Sequence, residues 1–392
     1  MKQIALLGST GSIGRQCLDV VESSPECFSI VAMAAGANLE ELCGQIKRHR
    51  PQLVSVADAE RASQLTVRLR AAGADHLPEI QHGAAGIRAV ATHPDAQIVV
   101  SAAVGVVGLE ATYAAVCQGK QIALSNKEVL VAAGEVVMAA ARKAGVEILP
   151  VDSEHNAIHQ CLRAGRRTEV RRLVLTASGG PFRRTPLAEI AAASPEQALA
   201  HPNWKMGQRI TVDSATLMNK GFEVIEAHWL FEMPLEKIHV VVHPQSTIHS
   251  MVEFVDSSVL AQLGPTDMRM PLRYALTYPE RSEAPGLRLD WEKLRRLDFE
   301  KVSTRRFPCL KLAREALQRG GVMPAALNAA DEVAVAAFLG RRMSFGGISQ
   351  VIERVLERMP RSRPASVGDI LAADAEARRL AGEEIGKLER AA

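Results

Sequence analysis

The chain has 392 residues, 47% of them hydrophobic, with 47 Lys and Arg against 44 Asp and Glu for a net charge of +3. That length exceeds one ordinary core, so two or three domains are expected. The balanced charge gives no electrostatic reason to expect nucleic acid or an acidic membrane as partner, although a local pocket for a small anion does not show in a global sum.

Six cysteines (Cys17, Cys27, Cys43, Cys117, Cys161 and Cys309) are spread along the chain and form no CxxC pair. They read as reduced thiols of a reducing compartment. The opening MKQIALLGSTGSIG runs straight into a strand and a glycine loop, with no expected signal or transit segment ahead of it. No apolar run reaches the roughly 20 residues a membrane helix needs. A cytoplasmic protein with no membrane and no nucleic-acid partner is the expectation.

The first apolar run, residues 3–7, ends at Gly8 and is followed by helical spacing through Ile13, Cys17, Val20 and Val21. The turn between them is Gly8-Ser-Thr-Gly11-Ser-Ile-Gly14. Glycines let a backbone approach a pyrophosphate, and a helix N-terminus offers free N–H groups and a favourable dipole. A tight turn also needs glycine, and the spacing is GxxGxxG rather than GxGxxG. Its place between the first strand and the first helix favours a dinucleotide. A second strand, 28–34, ends at Ala35-Gly36-Ala37-Asn38. No carboxylate stands there to repel a 2′-phosphate, which tilts the cofactor toward NADP, and no Arg or Lys stands at that turn. Further strands are expected at 53–56, 98–101, 122–125 and 146–151, with helical patterns between them. The alternation predicts an α/β fold with a parallel sheet covered by helices.

The run 146–151 ends in PVDSEHNAIHQ. On an extended chain, residues i and i+2 project to one side, so Asp152 and Glu154 can converge there. Two oxygen ligands suit a hard cation such as Mg2+ or Mn2+. Asp, Ser and Glu equally suit a helix start, and both readings stay open. Beyond this point 173–182, 209–231 and 239–254 read as strands joined by helices, and 194–207 reads as a long loop over a site. Ser214, Asn219 and Lys220 offer hydroxyl, amide and ammonium donors of the kind a phosphate takes, shortly before Glu223. A solvated turn is the plainer alternative. Ser178 sits beside two glycines. Lys127, in SNKE, has aliphatic neighbours that suggest a partly buried ammonium, and Glu128 next to it can simply pair with it. Trp204 and Met206 share the loop with His201, where an indole either closes over a ligand or anchors in a core. Residues 278–306 read as a linker, and the chain from Pro308 onward as amphipathic helices.

Seven motifs in one order, GSTGSIG, SNKE, PVDSEHNAI, SGGPF, HPNWKMG, VDSATLMNKGFEVIEA and HPQSTIHSMV, resemble the 1-deoxy-D-xylulose 5-phosphate reductoisomerase family. The resemblance runs from residue 4 to about 340. It implies conversion of 1-deoxy-D-xylulose 5-phosphate to 2-C-methyl-D-erythritol 4-phosphate in the methylerythritol phosphate route to isoprenoids, with NADPH and Mg2+ or Mn2+ as cofactors, by a homodimer. It implies Asp152, Glu154 and Glu223 as metal ligands and Ser178, Ser214, Asn219 and Lys220 as the phosphate set. Ser153 and Lys127 are implied to hold substrate oxygens. The resemblance further implies His201, Trp204 and Met206 as the flap and His155 and His249 as histidines lining the site. Thr10, Gly11, Ser12 and Ile13 match the pyrophosphate loop, and Gly36, Ala37, Asn38, Asn126, Glu128 and Gly207 are expected at the cofactor. Ala37 stands where relatives often carry a basic residue. The implied architecture is a Rossmann-like dinucleotide-binding domain (1–149), a central α/β catalytic and dimerising domain (150–277), a linker (278–303) and a C-terminal helical bundle (304–392).

Overall fold

The structure, a computed structural model, describes residues 1–103, 105–204 and 206–391. The chain begins β1 (Lys2–Leu7), α1 (Ser12–Glu22), β2 (Phe28–Ala34), α2 (Leu39–His49), β3 (Leu53–Val56), α3 (Ala59–Ala71), β4 (Glu79–His82), α4 (Gly83–Ala91), β5 (Ile98–Ser101), α5 (Leu109–Cys117), β6 (Gln121–Leu124), α6 (Glu128–Ala144) and β7 (Ile148–Pro150). It continues with α7 (Ser153–Leu162), β8 (Val170–Ala177), α8 (Leu187–Ile190), α9 (Pro195–Leu199), α10 (Gln208–Thr216), α11 (Met218–Phe231), β9 (Ile238–Val242), β10 (Ile248–Phe254), β11 (Val259–Leu263) and α12 (Arg269–Thr277). The last elements are β12 (Glu300–Lys301), α13 (Pro308–Arg319), α14 (Met323–Leu339), α15 (Phe345–Arg358) and α16 (Val367–Ala391).

Contacts divide the chain into two compact units that do not follow chain order. The first holds Met1–Val129, Val137–Asn156 and Asp267–Leu287; the second holds Leu130–Val136, Ala157–Thr266 and Arg288–Ala392.

The first unit is an α/β layer around a seven-stranded sheet in the order β4-β3-β2-β1-β5-β6-β7. All six neighbour pairs are parallel. The central strands are continuous apolar runs because helices cover a parallel sheet on both faces. Ile4, Leu6, Met33, Val54, Ile98 and Val100 are buried in its core. The sheet carries one strand that periodicity does not announce. β4 reads EIQH and lies partly open at the sheet edge, so it has no apolar run to detect. α12, distant in sequence, packs here against α1 and places Leu272 and Leu276 in the same core.

The second unit has a mixed sheet in the order β11-β10-β8-β9-β12. α11 and α13 share its core through Val224, Phe231 and Leu310. α15 buries Ile348, Val351, Ile352, Val355 and Leu356, one stripe at i, i+3, i+4, i+7 and i+8, against α14 and α16. At about 1.5–3 kcal/mol per buried aliphatic side chain, that stripe is enough to hold the helix in place. Two stretches differ from the sequence reading. Residues 209–231 form no strand; they lie in the helices α10 and α11, broken at Leu217, whose φ is 58°. The stretch 194–207 is not all loop, since α9 occupies Pro195–Leu199. Ser194 and Gln197 form a reciprocal capping box there, and Pro195 opens the first turn.

Candidate active site

In the first unit, the strand ends set the chemistry. Gly14 packs so closely that a Cβ there would lie 2.2 Å from the Gly8 carbonyl oxygen, and one on Gly8 would lie 2.5 Å from that of Ala102. The turn therefore hugs the tips of β1 and β5 and leaves a bare backbone cradle. Gly11 caps α1 without any side-chain cap hydrogen bond, and Gly11 and Ser12 are exposed while Thr10 and Ile13 are half-buried. The first N–H groups of α1 are thus left for a ligand.

One strand over, Gly36, Ala37 and Asn38 are exposed, and Asn38 caps α2 by accepting from the Glu41 N–H at 3.2 Å. A cavity of about 320 Å3 opens beside them. Its far wall carries Arg61 and Arg68 of α3. Neither stands on the loop itself, where sequence reasoning places a basic residue. The available signal was their spacing of seven on the helix that follows β3.

β6 and β7 run parallel with Leu124 opposite Pro150, so the residues just past each strand meet. The Lys127 ammonium donates to Asp152 Oδ2 at 3.0 Å, and both side chains are largely shielded. Asn126 is buried and its amide donates to the Gly105 carbonyl at 2.9 Å; Glu128, also buried, opens α6.

Asp152 and Glu154 do approach each other, with carboxylate oxygens within 4.8 Å. The cause is not strand alternation. The strand stops at Pro150 and α7 starts at Ser153, so the approach is made in the first helical turn. The Asp152 carbonyl accepts from the Asn156 N–H at 2.8 Å, which closes that turn. Both open readings of this stretch therefore meet: it starts a helix, and it presents two carboxylates together. Ser153 donates its hydroxyl to Glu154, and the fully buried His155 places Nδ1 4.0 Å from Asp152 Oδ2.

In the second unit, Ser178 follows β8 on a turn whose Gly179 and Gly180 have φ of 83° and 62°. Gly180 lies so close to α10 that a Cβ would sit 2.7 Å from the Ser214 carbonyl oxygen. This brings the Ser178 turn beside Ser214. His201 Nε2 is 3.0 Å from Ser178 Oγ, while its Nδ1 accepts from the N–H groups of Asn203 and Trp204 at 3.2 and 3.0 Å. Two donors on Nδ1 place the ring proton on Nε2, which then donates to Ser178. Burial pushes the His201 pKa below the ordinary imidazole value. Trp204 and Met206 are half-buried rather than core residues, and the Trp204 ring is tilted toward buried His249 at 6.5 Å. Gly207 caps α10 and its carbonyl accepts from Thr211 Oγ1 at 2.8 Å.

The break at Leu217 starts α11 so that Asn219, Lys220 and Glu223 share one turn. Asn219 Nδ2 donates to Glu223 Oε1 at 2.7 Å and Lys220 donates to the other carboxylate oxygen. Glu223 is fully buried and Lys220 nearly so. A charge that costly to bury is held by an ammonium and an amide at i−3 and i−4.

Three family models match the chain. 1-Deoxy-D-xylulose 5-phosphate reductoisomerase matches over residues 4–134. That enzyme's C-terminal domain matches over 148–231, and a DXP reductoisomerase C-terminal domain over 263–380. A 1-deoxy-D-xylulose 5-phosphate reductoisomerase of Solibacter usitatus is 54% identical, over 98% of this chain and 97% of its own. The solved reductoisomerase of Zymomonas mobilis in complex with NADPH is 44% identical, with a TM-score of 0.91 over 98% of this chain and 99% of that one. A solved DOX-P reductoisomerase in complex with NADPH, fosmidomycin and magnesium is 38% identical, with a TM-score of 0.92 over 99% of each chain.

Proposed function

Because the chain belongs to the 1-deoxy-D-xylulose 5-phosphate reductoisomerase family, we propose that it converts 1-deoxy-D-xylulose 5-phosphate to 2-C-methyl-D-erythritol 4-phosphate with oxidation of NADPH. Its place is the methylerythritol phosphate route to isoprenoids. The cofactors are NADPH and a divalent cation, Mg2+ or Mn2+.

The residues fit both groups. The turn at Gly8–Gly14 packs so tightly that a Cβ at Gly14 would meet the carbonyl oxygens of Gly8 and Ser9, and it presents the N-terminus of α1, which suits a pyrophosphate. Asp152 and Glu154 bring two carboxylates together, the donor type a hard cation prefers. When bound, the cation supplies Lewis-acid polarisation of a ketone and its neighbouring hydroxyl, and NADPH supplies the hydride.

The chain's own residues do the rest. Asp152, Glu154 and Glu223 are the metal ligands. Lys127 and Ser153 orient the substrate oxygens, and the ammonium of Lys127 offsets charge beside the carboxylates. Ser178, Ser214, Asn219 and Lys220 bind the phosphate, and this remote anchor fixes the reacting end. His201, Trp204 and Met206 cover the substrate and exclude water, and His155 and His249 line the site. Thr10, Gly11, Ser12 and Ile13 hold the pyrophosphate. Gly36, Ala37, Asn38, Asn126, Glu128 and Gly207 lie along the cofactor.

One observation carries the reading of the site: Lys127 pairs with Asp152 one helical turn from His155, beside Glu154, past the ends of adjacent strands. Carboxylates and an ammonium gathered at the carboxyl edge of a parallel sheet are the equipment of a site there. The active form is a homodimer built on β11, an edge strand that leaves Val259 and Leu260 exposed. Six free thiols, three of them buried, support a reducing compartment, the cytoplasm. No helix among the described residues is long and apolar enough to cross a membrane.

The test mixes purified protein, NADPH, Mg2+ and 1-deoxy-D-xylulose 5-phosphate and follows absorbance of the reduced nicotinamide. Loss that needs both metal and substrate, with a branched product skeleton, supports the proposal. An unbranched product would make the chain a simple dehydrogenase instead.

A further inference from the structure

We propose that Arg61 and Arg68 of α3 recognise the 2′-phosphate of the dinucleotide, a task the loop after β2 leaves open because Ala37 is uncharged. This rests on the NADPH-dependent reading above and adds the residues that choose NADPH over NADH.

The geometry follows from strand register. β2 and β3 are parallel neighbours with Ala34 opposite Ser55, and the Ala35 N–H donates to the Ser55 carbonyl at 2.9 Å. Both strands therefore stop at one level. The segments 35–38 and 57–60 emerge side by side, and α2 packs on α3. In a doubly wound sheet the pyrophosphate sits at the first βα turn and the adenosine ribose reaches the end of the second strand. Here that point opens into the cavity of about 320 Å3. Ala37, Asn38 and Glu40 line one side, and Glu60, Arg61 and Arg68 the other.

Ala37 is short, and a Cβ on Gly36 would meet nothing within 4 Å. The cavity thus lies open between this loop and α3. Arg61 and Arg68 are seven residues apart, so both guanidiniums project from one helical face. The Arg61 guanidinium also pairs with Asp58, the residue that caps α3, while its side chain remains 38% exposed. That pairing aims the fork without closing it. A phosphate monoester carries close to two negative charges and takes guanidinium forks in bidentate fashion. A 2′-hydroxyl would use Glu40 or Glu60 instead. The cavity thus contains both chemistries, and the choice between them is measurable.

The experiment is calorimetric titration of NADPH, NADH and 2′,5′-ADP into the full chain without substrate, for the wild type, Arg61→Ala, Arg68→Ala, Arg61→Lys and the double alanine variant. The wild type is expected to bind NADPH at least about tenfold tighter than NADH, and each alanine to weaken NADPH and 2′,5′-ADP about tenfold while NADH stays within about twofold. Arg61→Lys should fall between wild type and alanine, because a point charge replaces a fork. The cap survives in Arg61→Ala, since Asp58 accepts from the backbone N–H of residue 61 at 2.9 Å. Arg68→Ala provides a second, separate arm. Equal loss of NADH and NADPH, no loss in either alanine variant, or a wild type that prefers NADH would each overturn the proposal. Failure of the activity reading has a different signature: NADPH bound in preference to NADH, but not oxidised when 1-deoxy-D-xylulose 5-phosphate and Mg2+ are added.

Discussion

Glu223 is the residue whose environment says most about its task. It has no exposed surface, yet it is held by Asn219 at 2.7 Å and by the Lys220 ammonium. Such a carboxylate is preorganised, its rotamer fixed before any ligand arrives. Glu223→Gln keeps the shape and the acceptor for Asn219 but removes the charge. If Glu223 serves as the metal ligand proposed above, the Mg2+ concentration for half-maximal activity is expected to rise by about tenfold or more, because one anionic ligand is lost. A magnesium titration of steady-state rate reads this directly, and wild-type activity at low Mg2+ would remove Glu223 from the metal site. Glu223 is legible in VDSATLMNKGFE as a candidate third carboxylate, but that stretch alone reads more plainly as a solvated turn, and the resemblance is what raises it. The carboxylates at 152 and 154 were legible from residue types alone. Their convergence was expected for the wrong reason, since helix initiation at Ser153 overrides strand alternation.

At the scale of elements, His201 is one of the side chains that anchor the described part of the loop between α9 and α10. His201 collects two backbone N–H groups on Nδ1 and gives its Nε2 proton to Ser178. Protonating Nδ1 would set a donor against two donors, and burial already holds the pKa below its usual value. The sign follows from linkage. As pH falls below the ordinary imidazole value of about 6.5, the unfolded chain takes up a proton that the folded chain refuses. The loop's contribution is fully present above that value, declines below it, and is lost once pH has passed the depressed folded pKa. A proton NMR titration of the His201 ring should give a midpoint below about 6.5; a midpoint above it would contradict this loop arrangement.

The next element, α10, is tied to the C-terminal helices through Arg209. Its guanidinium donates to Asn328 Oδ1 at 2.8 Å and lies 3.5 Å from both Asp331 and Glu332. Burial raises the Asp331 pKa to about 6, and Arg209 works against that rise. Arg209→Ala is expected to destabilise the fold by on the order of 3 kcal/mol, because a buried carboxylate loses its main counter-charge. Chemical denaturation measures this, and a change under about 0.5 kcal/mol, the scale of surface substitutions, would show the pair to be replaceable.

Over the whole molecule, what could be read from sequence tracks where burial is one-sided or complete. The strands at 28–34, 53–56 and 98–101 stand where apolar runs put them. β4 was illegible because an edge strand with polar residues has no such run. The return of α12 to the first unit is a long-range pairing that no local window contains. Arg61 and Arg68 share a helical face that the sequence displays, but only register between β2 and β3 brings that face to a turn earlier in the chain. Edges also bear on assembly. β11 pairs with β10 on one side and forms the border of its sheet, with Val259 51% and Leu260 39% exposed and Val255 nearby at 63%. An edge strand with exposed apolar residues is an aggregation hazard unless another chain covers it. In the homodimer proposed above, a second copy provides the cover. Replacing Val259 and Leu260 together by lysine places two like charges at the dimer centre from each chain and should yield monomers. Sedimentation velocity on the wild type and the double variant decides the matter. A dimer that survives the two lysines would move the interface away from β11, and a wild type that is monomeric at micromolar concentration would remove the homodimer.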